Sequence, residues 1–257
     1  RVIDMLPTPG NTMSLSAADF DEDGDLDIYG CVYQPVQVGD DSRSGVVAGI
    51  GRNLVYHDAN DGGRNFLLRN EGENVFIDVT GEVGLDVNNQ RWSFASSWED
   101  FDNDGDQDLY VANDYGRDNL YRNDCSAGAG FVDVSDVARV EDAGSGMAIT
   151  WGDTDRDGWM DAYISNMFSG AGNRIVYQSQ FKPDADGVVK TRYQRLARGN
   201  TLLKNLGDGT FRDVSAPAAV EMGRWAWSSI FIDINNDGWE DLLVANGYIT
   251  GDDTGDL

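Results

Sequence analysis

The chain has 257 residues, 40% hydrophobic and 11% aromatic, with 45 acidic against 19 basic residues and a formal charge of −26. This suits a folded protein with a sizeable core, as one large domain or two small ones, and excludes a disordered acidic tail. So acidic a surface repels nucleic acid and anionic membranes, and no apolar run approaches the roughly 18 residues of a membrane-spanning helix, so no membrane insertion is expected.

The elements follow in chain order. No Met, charged n-region or apolar leader opens the chain, so it is expected to begin after processing or inside a longer protein. "RVIDML" (1–6) and "TMSLSAA" (12–18) read as strands, the second running into the acidic loop "DFDEDGDLDIYG" from Asp19. A segment at about 34–64, rich in Gly, Asp and Arg, reads as an irregular surface insert with small hairpins. "NFLLRNEGENVFIDVT" (65–80) is an apolar run, a polar turn and a second apolar run, the signature of a hairpin. The same order then recurs: "RWSFASSWE" (91–99), the loop "DFDNDGDQDLYVAND" (100–114) and the hairpin "NLYRNDCSAGAGFVDVS" (119–135). It recurs again as "GMAITWG" (146–152), "DTDRDGWMDAYISN" (153–166), a second insert at about 167–199 and "TLLKNLGDGTFRDVS" (201–215). A last copy, "WAWSSIFI" (225–232) and "DINNDGWEDLLVANG" (233–247), precedes the acidic ending "TGDDTGDL".

The acidic loops begin 81, 53 and 80 residues apart, so the short interval is the minimal unit and the inserts lengthen the other two. Each unit is strand, acidic loop, strand, connection, strand, turn, strand. The expected fold is all-β, a β-propeller-like array of four-stranded blades carrying cation-binding loops, with residues 1–257 forming one domain. Three whole repeats and one incomplete repeat are visible. They either close a four-bladed ring or belong to a larger propeller.

All four loops read D-x-[DN]-x-D-G-x-x-D. Side-chain oxygens at positions 1, 3, 5 and 9, a glycine turn at 6 and a backbone carbonyl at 7 can surround a hard cation that takes 6–8 oxygen ligands. The expected ligands are Asp19, Asp21, Asp23, Asp25 and Asp27 in loop one, and Asp100, Asp102, Asp104, Asp106 and Asp108 in loop two. Loop three offers Asp153, Asp155, Asp157, Trp159 and Asp161, and loop four Asp233, Asn235, Asp237, Trp239 and Asp241. Calcium, about four ions, is the expected cofactor. Magnesium demands a stricter octahedron, and zinc or copper would want sulfur or imidazole. The helix–loop–helix calcium site requires a Glu at position 12, where this chain has Gly30, Val111, Ile164 and Val244. The alternatives are Asx-turns or solvated acidic loops, which four aligned copies argue against.

Cys31 and Cys125 fit no zinc pattern and leave a disulfide between them open, and the lone histidine, His57, reads as a surface or packing residue. Trp92, Trp98, Trp151, Trp225 and Trp227 lie on the strands before acidic loops, as expected for packing between blades; an aromatic sugar platform is the alternative.

The four loops, the strands "DLYVAND" and "DLLVANG" and the hairpin "NLYRND…GFVDVS" resemble FG-GAP/VCBS repeats, as in extracellular proteins whose repeats precede an ASPIC/UnbV-type domain. The resemblance implies a calcium-bound β-propeller of the integrin-α type acting in adhesion, recognition or surface assembly. The departures are fewer repeats than the usual seven, Asn235 in place of an acid and no ASPIC-like segment. The expected function is an extracellular calcium-stabilised scaffold, not an enzyme, whose inserts meet proteins, glycans or further copies of the chain. Tyr33, Tyr56, Phe168, Tyr177, Phe181, Tyr193, Arg174, Arg192, Arg195 and Arg198 lie in or beside those inserts; the alternative role for each is to pin its own loop. A calcium-dependent polysaccharide lyase or hydrolase is the competing class. It is disfavoured because the best-placed carboxylates are claimed by metal and neither G-x-S-x-G nor H-E-x-x-H occurs.

Overall fold

The computed structural model describes residues 10–35, 55–73, 75–125 and 128–247. The expected strand at 1–6, most of the first insert and the acidic ending lie outside the described residues.

Three four-stranded antiparallel sheets and one two-stranded sheet follow one another along the chain. The first contains β1 (Gly10–Ala18), β2 (Asp27–Pro35), β3 (Phe66–Asn70) and β4 (Phe76–Asp78), hydrogen-bonded in that order. The second contains β5 (Trp92–Glu99), β6 (Asp108–Asp114), β7 (Asn119–Asp124) and β8 (Gly130–Asp133), followed by the single helical turn α1 (Ser135–Ala138). The third contains β9 (Gly146–Gly152) and β10 (Asp161–Asn166) and, after an insert, β11 (Thr201–Asn205) and β12 (Phe211–Asp213). The turn α4 (Ser215–Ala218) leads to β13 (Ala226–Ile232) and β14 (Asp241–Asn246). This is the expected meander.

Every acidic loop closes the first hairpin of its sheet. Ala18 pairs with Asp27, Glu99 with Asp108, Gly152 with Asp161 and Ile232 with Asp241, so position 9 always faces the residue before position 1. A one-residue slip would turn every apolar side chain to the wrong face, so this register is strongly held. The later strands are tied by a device that also repeats. Thr80, Ser135 and Ser215 accept a hydrogen bond from the backbone of Leu67, Leu120 and Leu202, and donate to Asp78, Asp133 and Asp213.

The core lies between sheets. Phe20, Tyr29, Cys31, Leu109, Val111 and Phe131 join the first to the second, and Phe101, Tyr110, Ala112, Ala162, Ile164 and Phe211 join the second to the third. Trp98 meets Tyr29 edge-on at 6.3 Å and Trp151 meets Tyr110 at 6.0 Å, so these two tryptophans pack between blades as expected. Trp225, Trp227 and Trp239 remain 39–49% exposed.

The second insert corrects the expectation of irregular loops with small hairpins. It folds as α2 (Gly170–Val176) and α3 (Gly187–Arg198). Ser169 and Asp186 cap the two helices by accepting from Gly172 and Val189, and Lys, Arg, Gln, Leu and Ala residues favour the helix through α3. Ion pairs dock it. Arg195 meets the buried Asp142 at 2.5 Å and Asp213 at 2.7 Å, Arg198 meets Asp213 and Glu221, and Arg192 reaches Asp58 at the end of the first insert. His57 lies 5.1 Å from Tyr193. The two inserts, 134 residues apart at the Asp58–Arg192 contact, therefore meet. No helix among the described residues is long and apolar enough to cross a membrane.

Candidate metal centres

The loop geometry begins with the position-1 carboxylate. Asp19 accepts from the backbone N–H groups of Asp23 and Gly24, both at 3.0 Å. Asp100, Asp153 and Asp233 bind the equivalent pairs at 2.8–3.1 Å. Position 5 then accepts from the N–H of position 7 in all four loops. These bonds wind the backbone tightly enough that the glycine at position 6 has φ between +85° and +103° (Gly24, Gly105, Gly158, Gly238), a region any other residue enters only at a cost.

Position 9 ties the loop to the sheet. Asp27 accepts from Phe20 N–H and, across to the third strand, from Asn70 N–H at 2.8 Å. Asp108 does the same with Phe101 and Asn123, and Asp161 with Thr154 and Asn205. In loop four, Asp241 accepts from Ile234. The position-9 carboxylates of the first three loops are buried.

Carboxylate oxygens of Asp19, Asp21 and Asp27 lie within 4.8 Å of one another, as do those of Asp100, Asp102 and Asp108 and those of Asp153, Asp155 and Asp157. At that spacing two unit charges repel by about 3 kcal/mol even at an effective dielectric of about 20, more than a typical net hydrogen bond contributes. Asp102 Oδ1 is buried and has no hydrogen-bond partner among the described residues. A hard cation would satisfy that orphaned oxygen and cancel the repulsion, so the residues present fit calcium. Loop four is weaker. It has three carboxylates, and Asn235 spends its oxygen on the N–H of Asp237 at 2.8 Å.

A basic residue from the third strand of each sheet stands beside each of the first three loops, a feature the sequence reading missed although "LLRN", "LYRN" and "LLKN" align. Arg69 and Arg122 turn to the acids two residues on, Glu71 and Asp124. Lys204 instead enters loop three, pairing with Asp155 and, at 3.4 Å, with Asp157. Its ammonium competes for the oxygens a divalent ion would take, and Asp161 stands outside that cluster. Lys204→Met is expected to raise the calcium affinity of loop three several-fold. Calorimetric titration of wild type and variant checks this, and superimposable isotherms would contradict it.

Burial pushes Asp27 up to about 6 and Asp108 to about 8, and raises Asp161 as well. Asp21 and Asp102 are raised chiefly by burial, then by Asp23 and Asp104 respectively. Each folded value lies above the ordinary carboxylate value of about 3.9, so the cation-free folded chain holds protons the unfolded chain has released. Stability from this source is complete below about pH 4 and is lost as pH rises through about 6 and 8. Melts in chelator are therefore expected to weaken between pH 5 and 8. Melts in calcium should not, because the ion binds the deprotonated form. A chelated midpoint that climbs across this range would contradict the assignment.

Cys31 and Cys125 are free thiols, pushed up to about 11 chiefly by burial, so no disulfide links them.

A family model for FG-GAP-like repeats matches residues 100–164 and 189–244, from the first aspartate of loop two into β10 and from α3 into β14. These two stretches are FG-GAP-like repeats. Cartilage acidic protein 1 of Mus musculus is 24% identical over 190 residues, covering 73% of this chain and 26% of that protein. Its counterpart in Homo sapiens is 25% identical over 189 residues, covering 73% and 25%. The chain thus spans about a quarter of the length of these curated relatives. The matched FG-GAP segments contain loops two, three and four, and the first sheet repeats their strand order and loop hydrogen bonds.

Proposed function

We propose that this protein is an extracellular scaffold whose blades are stapled by calcium and whose joined inserts present a surface for adhesion, recognition or assembly. The observation that carries the reading is loop two: three convergent carboxylates, one with a buried oxygen, Asp102 Oδ1, that has no hydrogen-bond partner among the described residues. In loops one to three the carboxylates at positions 1, 3, 5 and 9 and the carbonyl at position 7 would hold the ion, and in loop four Asn235 stands in for the acid at position 3. A bound cation supplies fixed positive charge; the chain supplies the frame that places the oxygens. The position-9 aspartate accepts from the third strand, so the ion's ligands reach from the first hairpin into the rest of the blade.

Two further facts support the extracellular placement. The similar curated proteins are named for cartilage, and such oxygen loops suit the millimolar calcium found outside cells. Partners are proteins or glycans at the cell surface or further copies of the chain, met through the α2–α3 region rather than through the acidic loops. Calorimetric titration with calcium is expected to show about three to four sites, with magnesium a weaker competitor. A flat calcium titration at neutral pH would defeat the reading.

A further inference from the structure

Adjacent acidic loops are joined by two buried asparagines that are not in the expected ligand set. Asn123, in β7, donates its backbone N–H to Asp108 of loop two at 2.7 Å and its side-chain amide to the carbonyl of Phe20 in loop one at 2.8 Å. Asn205, in β11, repeats the pattern one blade on. Its N–H reaches Asp161 of loop three at 2.8 Å and its amide reaches the carbonyl of Phe101 in loop two at 2.8 Å. Both asparagines are fully buried. Asn70, at the same register in the first sheet, turns its amide to Leu26 in its own sheet.

A second thread runs between the loop tips. The position-4 residues Glu22, Asn103, Arg156 and Asn236 all have φ between +57° and +61°. Asn103 donates to the carbonyl of Gly158 in loop three at 3.2 Å, and Arg156 lies 3.8 Å from the ring centroid of Trp239 in loop four.

We propose that the acidic loops load with cations as a coupled series, with Asn123 and Asn205 and, between the tips of loops two and three, Asn103 as the positioning residues that carry the coupling. This rests on the calcium reading above. Phe20 and Phe101 occupy position 2, between the position-1 and position-3 ligands, so a cation that orders loop two also fixes the carbonyl to which Asn205 is anchored. Asn205 in turn holds the position-9 carboxylate of loop three. Ordering one loop lowers the cost of ordering the next, and the effect is reciprocal.

The test isolates loop three. Tb³⁺ serves as the probe, sensitised by Trp159 at position 7, in a Trp239→Phe protein that removes the equivalent donor from loop four. Loop-three affinity is measured with loop two intact and with Asp102→Asn and Asp104→Asn together. The depleted loop is one unit more negative than the intact loop loaded with Tb³⁺, so the bare Coulombic field favours the depleted protein and cannot produce the expected loss. Depletion is expected to weaken loop three by about fivefold. Adding Asn103→Gly and Asn205→Ser should weaken loop three at the outset and abolish the further effect of depletion. Equal loop-three affinity with loop two intact or depleted overturns the coupling, and this comparison needs no asparagine variant to fold. A depletion effect that survives both asparagine changes overturns the role assigned to those residues. No sensitised emission from any of the proteins at saturating Tb³⁺ defeats the cation reading itself, and the coupling with it.

Discussion

Chelation of calcium is expected to lower the melting temperature more than any single substitution outside the core. A ligand that binds only the folded chain stabilises it by about 2.7 kcal/mol at a hundredfold excess over its dissociation constant. Three such loops would supply about 8 kcal/mol, against roughly 5–15 kcal/mol for the whole stability of a typical domain. The folded apo chain keeps its hydrogen-bonded loops but also keeps three sets of crowded carboxylates, with Asp27 and Asp108 buried among them. At about 2–4 °C per kcal/mol for a chain of this size, the fall should be on the order of 20 °C or end in unfolding at room temperature. Thermal melts in calcium, in EDTA and in EDTA followed by excess calcium check this. Recovery should be complete with calcium and partial with magnesium. A midpoint that moves by only a degree or two on chelation would show that the carboxylate frames stand without an ion.

What the sequence made legible was local. Positions 1 to 9 of a loop lie within nine residues, and the alternating runs on either side specify a hairpin whose register the structure reproduces from Ala18↔Asp27 to Ile232↔Asp241. The packing of Trp98 and Trp151 between sheets was readable because they recur at one register. The contacts that escaped are those between units. Asn123 looks like the end of one strand, and only the assembled array shows its amide on Phe20, 103 residues away. Lys204 and Arg122 are interchangeable as sequence, yet one enters its loop and the other turns aside. The α2–α3 insert escaped for another reason. It has no counterpart in the shortest, 53-residue unit, and its capping aspartate, Asp186, sits in a stretch whose glycines and charges suggested a loop. Arg192, Arg195 and Arg198, candidates for partner contact, are held by Asp58, Asp142, Asp213 and Glu221, so pinning the insert is their visible work.

Position 2 offers the sharpest mutational contrast, because the same register is buried in loop two and open in loop four. Phe101 is 2% exposed, with its ring 5.8 Å from Phe211 of the next sheet, while Ile234 is 59% exposed. The Phe101 backbone works as well: its N–H donates to Asp108 at 3.1 Å and its carbonyl accepts from Asn205. Phe101→Ala should cost about 3–5 kcal/mol, since the cavity opens in the packed core between two sheets. Ile234→Ala should stay within about 0.5 kcal/mol. Denaturant unfolding in saturating calcium measures both without the confounding loss of metal. Phe101→Ala should also weaken calcium binding at loop two, because the ring anchors the residue lying between the position-1 and position-3 ligands. Equal costs for the two substitutions would mean that the loops are independent turns, and that the wedge of each loop into the following blade contributes nothing to holding the array together.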